Sequence, residues 1–540
     1  MIKLVTFLFV VLTVAHGDAY LPKGGLVRRS TPFRRPGVQH EHLSGMNYKS
    51  MVRLRGGSAP MAFIESLKTT TYLNPSNYFN SLFVLLMTAV VTFKGIEKGS
   101  VDDAGKQLEK KPAGVKSLQW RFLSVFWLLR MADWLQGPYF YDVYATKVIN
   151  GAAVSANMIS RLFLVGFAST GLLGPWIGKL VDKYGRRAGT ITFSLLYTLG
   201  ALSTKSSVLA TLMLGRLMGG IGTSLLFSAP EAWMVSEHAR EGHEGRYLGQ
   251  TFGLAYAGDS LIAIVAGQLA SIMAAKSGPT GPFTLSIPFL WVGAVLAALK
   301  WKENVAPKAQ SVGGGKQEED STIPSALKLM KEDKRIVLVG AMQALFEGAM
   351  YVFVLQWCPA VREAVSTVAW GQAGAAANTP FGKIFSCFMA SCLFGSSLFG
   401  ALQRRGVSTE TIAQGMMMVA AGAMAAAVTM VKYASSCGEY AFHVLIAAFL
   451  VFEACVGMYF PSIGTLRGKY LPDSHRGVMM NIFGLPLNLI VVSVNLLITY
   501  LGVTGALTCS AATLAAAAGC ATLLNLKTET RSAKLQSFVI

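Results

Sequence analysis

Thirteen apolar runs follow one another along this chain, at roughly 78–95, 119–144, 154–177, 189–209, 211–235, 248–273, 283–299, 335–358, 383–402, 411–431, 440–463, 478–500 and 503–524. Most approach the ~20 residues that a helix needs to cross a bilayer, so the pattern predicts an all-α membrane protein. The first run reads as an extra helix ahead of a core of twelve. The polar segment Trp301–Arg335 carries Gly313-Gly-Gly315 and the acidic run Glu318-Glu-Asp320, and reads as a flexible linker that divides the core into two six-helix halves. The predicted boundaries are a signal peptide over 1–19, a basic transit-like or disordered segment over 20–76, an extra transmembrane helix over 77–98, and an N-terminal half over 119–300. A cytoplasmic linker over 301–334, a C-terminal half over 335–526 and a cytoplasmic tail over 527–540 complete the chain.

Charge placement predicts orientation. Alternate connections of the core hold Lys179, Lys183, Arg186 and Arg187, then Arg240 and Arg246, the central linker, Arg404 and Arg405, and finally Arg467, Lys469 and Arg476. The other connections hold only Lys147, Lys205, Lys276, Arg362 and Lys432. An excess of Lys and Arg marks the cytoplasmic side, so the core begins inside and the extra helix carries the N-terminal tail across. This distribution also explains the net charge of +20 without invoking nucleic acid. Charged residues make up only 14% of the chain and mean hydropathy is +0.46, too apolar for a soluble protein of this length. The seven cysteines fall mostly within apolar runs and lack a CxxC pair, so they read as small membrane-core residues without a disulfide framework or metal site.

The front of the chain reads as an address. Lys3 precedes the short apolar run Leu4–Ala15 and the small residues Gly17 and Ala19, the pattern of a signal peptide. From Tyr20 to about Ala62 there are eight Lys and Arg residues against the single acid Glu41. A signal followed by such a stretch resembles the two-part plastid address of algae with complex plastids. A disordered basic tail behind an ordinary signal peptide is the alternative, so the expected location is a cell membrane or a plastid envelope.

Ionisable residues inside the apolar runs are the candidate site residues, because a charge at a helix centre costs about 2.5–3.5 kcal/mol on insertion scales and calls for a partner or a watery pathway. They are Arg130 and Asp133 on the first core helix, Arg161 on the second, Glu231 on the fourth, Asp259 on the fifth, Glu347 on the seventh and Glu453 on the tenth. Asp133, Gln136, Gly137, Phe140 and Tyr144 share one helical face. Arg130 lies one turn before Asp133, so the two can neutralise each other. Pro138 predicts a kink beside Tyr139. Gln343, Glu347 and Tyr351 repeat at i, i+4 and i+8, a stripe expected to line a cavity. Pro230 before Glu231 predicts a broken helix with a pathway carboxylate, and Glu453 precedes a break at Phe460-Pro461.

The loop Gly178-Lys-Leu-Val-Asp182-Lys-Tyr-Gly185-Arg186-Arg187 resembles the signature loop of the major facilitator superfamily, which joins the second and third core helices on the cytoplasmic side. Gly178 is expected to let two helices approach, Asp182 to accept hydrogen bonds at a helix end, Gly185 to permit a turn, and Arg186 and Arg187 to stay at the interface. Gly215-Arg216-Leu-Met-Gly219 resembles a second facilitator motif, which in some members has been linked to proton coupling. We group Arg216 with the loop as gating residues. The resemblance implies the facilitator fold, with two six-helix halves.

Longer stretches are more specific: Asp133-Trp-Leu-Gln-Gly-Pro-Tyr139, Leu226-Phe-Ser-Ala-Pro-Glu231-Ala-Trp233, Gln343-Ala-Leu-Phe-Glu347, Gly395-Ser-Ser397 and Gly457-Met-Tyr-Phe-Pro-Ser462 with Leu466-Arg467. Together they resemble the molybdate-anion transporter family from about Asn77 to Leu526. The resemblance implies a small inorganic dianion as substrate. Such an anion needs Arg or Lys charge and neutral donors: Arg130 and Arg161 are the membrane cations, and Gln136, Tyr139, Gln343, Gln356 and Trp357 the nearest donors. Ionised Asp133, Glu231, Glu347 and Glu453 would repel it, whereas a protonated carboxyl would donate a hydrogen bond. The expected mechanism is therefore proton-coupled anion movement by alternating access, by a monomer in the bilayer and without a cofactor or metal. A facilitator for a sugar or organic anion, or a non-transporting sensor or scaffold, is the alternative. An enzyme is not expected, since nucleophile–base spacings, phosphate loops and metal clusters are missing from the sequence. The close pairs His40/His42 and His238/His243 read as solvated loop rather than zinc sites.

Overall fold

The computed structural model describes residues 75–99, 112–305, 323–368, 379–472 and 475–539; the signal peptide and most of the basic segment predicted from the sequence lie outside the described residues. Helix α1 spans Pro75–Gly99. Helix α2 (Ala113–Gln136) passes through a 3-10 turn at Gly137–Tyr139 into the short α3 (Phe140–Ala145). A two-residue hairpin comes next, β1 (Val148–Ile149) against β2 (Ala152–Ala153). Its turn is Asn150-Gly151, both with positive φ (51° and 79°), the conformation that a tight right-twisted hairpin requires. Helices α4 (Ala156–Tyr184), α5 (Arg186–Ser203), α6 (Leu209–Arg240), α7 (Gly245–Ser277) and α8 (Gly281–Lys300) complete the first half.

Helix α9 (Ile323–Glu332) lies within the predicted linker, and α10 (Lys334–Val365), α11 (Phe381–Arg404), α12 (Thr409–Lys432), the single turn α13 (Ala434–Cys437), α14 (Glu439–Tyr470) and α15 (Arg476–Val539) form the second half. Helix α15 is two arms meeting at Gly502, whose φ of 60° suits only glycine well. Ser155 caps α4 and Ser408 caps α12 by accepting a backbone N–H three residues on. Ten helices among the described residues are long and apolar enough to cross a membrane by length and composition. Helix α2 bears Lys116, Arg121, Arg130 and Asp133, and α5 opens on Arg186 and Arg187, so neither is among them.

The linker is less loose than its composition predicts. Trp301 is 2% exposed and stacks on Trp233 with centroids 4.0 Å apart, so the chain leaving α8 is pinned to the first half before it departs. Two predicted breaks are also absent: α6 runs unbroken through Pro230 and α14 through Pro461. A proline removes one intrahelical bond, and packed neighbouring helices tolerate that loss.

Each half packs on itself, α5 on α6 and α4 on α6 in the first, α10 and α12 on α15 and α11 on α14 in the second. Two seams join the halves, α7 with α11 and α4 with the first arm of α15. Helix α1 precedes the first half in sequence but docks on the second. It packs along α11, with Cys387 Sγ donating to Phe79 O (3.6 Å), Phe93 against Phe394, and Tyr78 Oη bonded to His443 Nδ1 (3.1 Å) on α14.

Candidate functional site

Arg130 is the centre of the first half. Its Nε and Nη2 donate to the two oxygens of Asp259 on α7 (2.8 and 2.9 Å), and Nη1 donates to Asp133 (3.1 Å). Trp134 Nε1 donates to the same Asp259 (2.8 Å), and the Tyr197 hydroxyl of α5 donates to Asp133 (2.9 Å). The guanidinium also lies over the rings of Trp134 and Phe227, 4.9 and 5.2 Å from their centroids. A planar five-donor cation is well suited to bridge two carboxylates in a dry site. With both acids ionised the triad carries one net negative charge, so Arg130 is not the free cation for an anion that its position in the sequence predicts. It is committed to the acid one turn away and to a second acid from another helix.

The predicted stripe from Asp133 to Tyr144 does not survive as one face. Pro138 inserts the 3-10 turn and rephases the residues beyond it. Asp133 turns to α5, Gln136 donates to Ser286 on α8 (2.9 Å), and Phe140 packs on Phe163 and Phe283. Tyr139 is buried, its hydroxyl accepting from the Gly382 amide of the second half (3.4 Å).

In the second half Tyr459 on α14 donates to Glu347 on α10 (2.8 Å) and stacks on Phe346 at 4.2 Å. Gln343, one turn before Glu347, is 5% exposed and its Oε1 has no partner among the described residues. Tyr351, one turn after, meets Phe167 of the first half edge-on at 5.6 Å. Glu231 in turn accepts from Tyr256 of α7. Asp133, Glu231 and Glu347 are thus each held by one tyrosine hydroxyl from a neighbouring helix. Glu453 differs: it is 7% exposed, with no hydrogen bond or ion pair among the described residues, where α11 and α14 press together. Gln356 and Trp357 are buried farther along α10, Trp357 against Phe381 and Phe388.

Contacts between the halves gather toward one side. Cys358 Sγ donates to Pro138 O (3.6 Å), Ser386 Oγ donates to Ile264 O (2.8 Å), Arg362 pairs with Asp142, and Trp134 packs on Phe385. With the Tyr139–Gly382 and Phe167–Tyr351 contacts, all lie between the helix midpoints and the face opposite the basic loops. The contacts seen between the halves thus concentrate on the non-basic side.

The basic loop is built around an acid that the motif omits. Glu303, just past α8, accepts the backbone N–H groups of Arg187 and Ala188 (2.9 Å each) at the start of α5. A carboxylate there satisfies two orphan donors and complements the helix dipole. Gly185 makes the turn with φ 118°, and Asp182 accepts from Arg186 (2.9 Å), which also donates to Ser236. Gly178 departs from expectation, since among the described residues a Cβ there would meet nothing within 4 Å. Arg216 is not at the loop but near the other face, 4.6 Å over Phe140, with Nε donating to Leu162 O (3.4 Å). Glu303→Gln should weaken the α5 cap by about 1 kcal/mol, read as severalfold faster amide exchange at Arg187 and Ala188; unchanged exchange would remove Glu303 from the loop.

Beside the loop, Arg121 binds Glu237 and Glu241, Arg240 binds Glu237 (2.9 Å), and His243 pairs with Glu241 (2.9 Å). His238 is not solvated as its loop-like sequence predicts: it is 4% exposed and packs on His243. Burial raises Glu241, but Arg121 and His243 outweigh it and hold the carboxyl below its usual range. Its stabilising charge is therefore present above the ordinary value of about 4.3 and is lost as pH falls through the lower folded one.

Arg161 lies apart from these groups, in a cleft of the α4–α15 seam. Tyr197, Tyr256, Tyr459, Glu303 and the Asp142–Arg362 pair escaped sequence reasoning. Their partners lie 25 to 116 residues away in all but the last case, which is longer still, and no local spacing signals them.

A family profile described as sugar transporters with 12 transmembrane segments matches residues 79–449. A molybdate-anion transporter of Takifugu rubripes is 32% identical over 397 residues, covering 69% of this chain and 78% of that protein. The chain belongs to the molybdate-anion transporter family of the major facilitator superfamily. The relative from Xenopus tropicalis agrees, 30% identical over 423 residues and covering 76% of this chain and 85% of its own. A solved auto-inhibited POT-family peptide transporter superposes with a TM-score of 0.56 over 77% of this chain and 97% of that one. At 13% identity that likeness is of fold alone. This facilitator is a multi-pass integral membrane transporter and not an enzyme.

Proposed function

We propose that this facilitator moves molybdate, a tetrahedral dianion, by alternating access with proton coupling, as a monomer. The reading of the substrate is carried by the curated relatives, molybdate-anion transporters at 32% and 30% identity over most of the chain. The reading of the coupling rests on the pathway's charge. Its acids Asp133, Glu231, Glu347 and Glu453 outnumber its free cations, because Arg130 is spent on Asp133 and Asp259. A dianion passes such a path at lower cost if carboxyls carry protons as it goes by, each then donating a hydrogen bond instead of repelling.

Glu347 is the acid we assign first to this role. It stands one turn from Gln343, whose free Oε1 is buried, and one turn from Tyr351 at the contact with the other half. A proton arriving there changes the charge beside the groups that must separate when the halves rock. Tyr139, Gln136 and Gln343 are the neutral donors nearest this path. Arg216 and the loop from Gly178 to Arg187 belong to the rocking machinery. By the positive-inside rule the basic face is cytoplasmic, and the N-terminal segments select a cell membrane or a plastid envelope.

The test is uptake of nanomolar molybdate by molybdate-starved cells at two pH values, with and without excess sulfate. Glu347→Gln should lower uptake more than tenfold and flatten its pH dependence, while sulfate competes weakly. Sulfate or sugar competition as strong as molybdate's own would replace the substrate. pH-dependent uptake that survives neutralising each of the four acids in turn would end the coupling reading.

A further inference from the structure

Between α4 and the first arm of α15, on the face opposite the basic loops, lies a cleft of about 220 Å³. Asn157, Ser160 and Arg161 line it from α4, and Asn495, Thr499 and Tyr500 from α15. Arg161 is exposed and has no hydrogen bond or ion pair among the described residues. By contrast Arg130, Arg216 and Arg362 are engaged: Arg130 by two carboxylates, Arg216 by aromatic rings and a carbonyl, Arg362 by Asp142. The lining has no carboxylate. The cleft therefore offers one unspent guanidinium with amides and hydroxyls around it, the donor set that a tetrahedral oxyanion uses.

Position adds to this. Arg161 is five residues inside the start of α4, roughly 7.5 Å along its axis, which is the depth of the headgroup region rather than the bilayer core. The positive end of the α4 dipole points to the same side. Tyr500 is 88% exposed and Leu496 60%, so the cleft opens sideways toward lipid as well as outward.

The walls come from different halves. Both are in place only while the seam is shut on the non-basic face, so a ligand that bridges them binds this conformation better than one in which the seam has opened. Differential affinity of that kind shifts the equilibrium toward the binding state. We infer that this cleft is a state-dependent oxyanion site, taking either the phosphate of a net-anionic lipid headgroup or a free inorganic oxyanion, and that its occupancy holds the halves closed on the non-basic side. This is independent of which solute the central pathway carries.

Cys358 is a native reporter of the seam, since it is 3% exposed and bonded to Pro138 across the halves. The experiment follows its alkylation by peptide mass spectrometry, with the thermal midpoint, for the full chain in phosphatidylcholine nanodiscs. One arm titrates inorganic phosphate; the other replaces a third of the lipid with phosphatidylglycerol. Either addition should slow Cys358 alkylation severalfold and raise the midpoint, and Arg161→Gln should weaken the response at least tenfold, with Arg161→Lys retaining part of it. A response to phosphate identifies a soluble anion, and one to phosphatidylglycerol alone a lipid headgroup. Thr499→Val, on the opposite wall, tests the same site if Arg161→Gln fails to fold. No response in either arm, or equal responses in wild type and variants, would overturn the inference.

Discussion

Replacing Gly457 with valine should cost the fold about 3 kcal/mol or more, the upper end of what overpacking usually costs. Gly457 of α14 and Gly395 of α11 sit in one helix crossing. A Cβ on Gly457 would run into the carbonyl of Cys392, and one on Gly395 into the carbonyl of Ala454. Both obstacles are backbone, so no side chain can rotate away and a helix must move. Membrane helices associate through close approach of this kind, because lipid supplies little hydrophobic drive between them. The displaced crossing would also carry Glu453, which is buried in the same contact. Gly464 of the same helix is the control: a Cβ there meets nothing within 4 Å, and Gly464→Ala should be neutral or slightly stabilising through helix propensity. Thermal midpoints and size-exclusion profiles of the two variants decide it. Equal behaviour would mean that the crossing is not close.

Arg130→Gln should be nearly as damaging for an electrostatic reason. It leaves Asp259 buried and Asp133 half-buried without their shared cation, and removing one partner of a buried ion pair costs about 3–5 kcal/mol. Asp259→Asn leaves Arg130 with Asp133 (3.1 Å) and should cost less. The double variant Arg130→Gln/Asp259→Asn should recover part of the loss, because one of the two stranded charges goes with the cation. A double-mutant cycle on the thermal midpoint measures this coupling. Additive effects would show that the bidentate contact contributes no interaction energy. Uptake should fall in both variants that lack Arg130, since Asp133 keeps its position only while Arg130 and Tyr197 hold it.

Local patterns were readable where one stretch of chain decides its own structure. The apolar runs marked the helices, Gly185 its turn at φ 118°, and Pro138 the 3-10 interruption of the first core helix. The i, i+3 spacing of Arg130 and Asp133 announced their pairing, which is intrahelical. Prolines misled at Pro230 and Pro461, because a helix held by its neighbours can lose one hydrogen bond and continue. Gly178 misled because a glycine permits close approach without requiring it.

By itself, then, the sequence determined the membrane-spanning class, the two halves, the basic face and the acids that had to find partners, since hydropathy, length and charge act residue by residue. Tertiary structure decided which acids found partners far away in the chain. Asp259 reaches Arg130 across 129 positions, Tyr459 reaches Glu347 across 112 and Glu303 reaches Arg187 across 116. It also decided that α1 rests on the second half and that Arg161 stands unspent in the seam. These contacts arise from how helices from distant parts of the chain pack, and a hydrogen bond a few ångströms long carries no trace of itself in the spacing of residues a hundred positions apart.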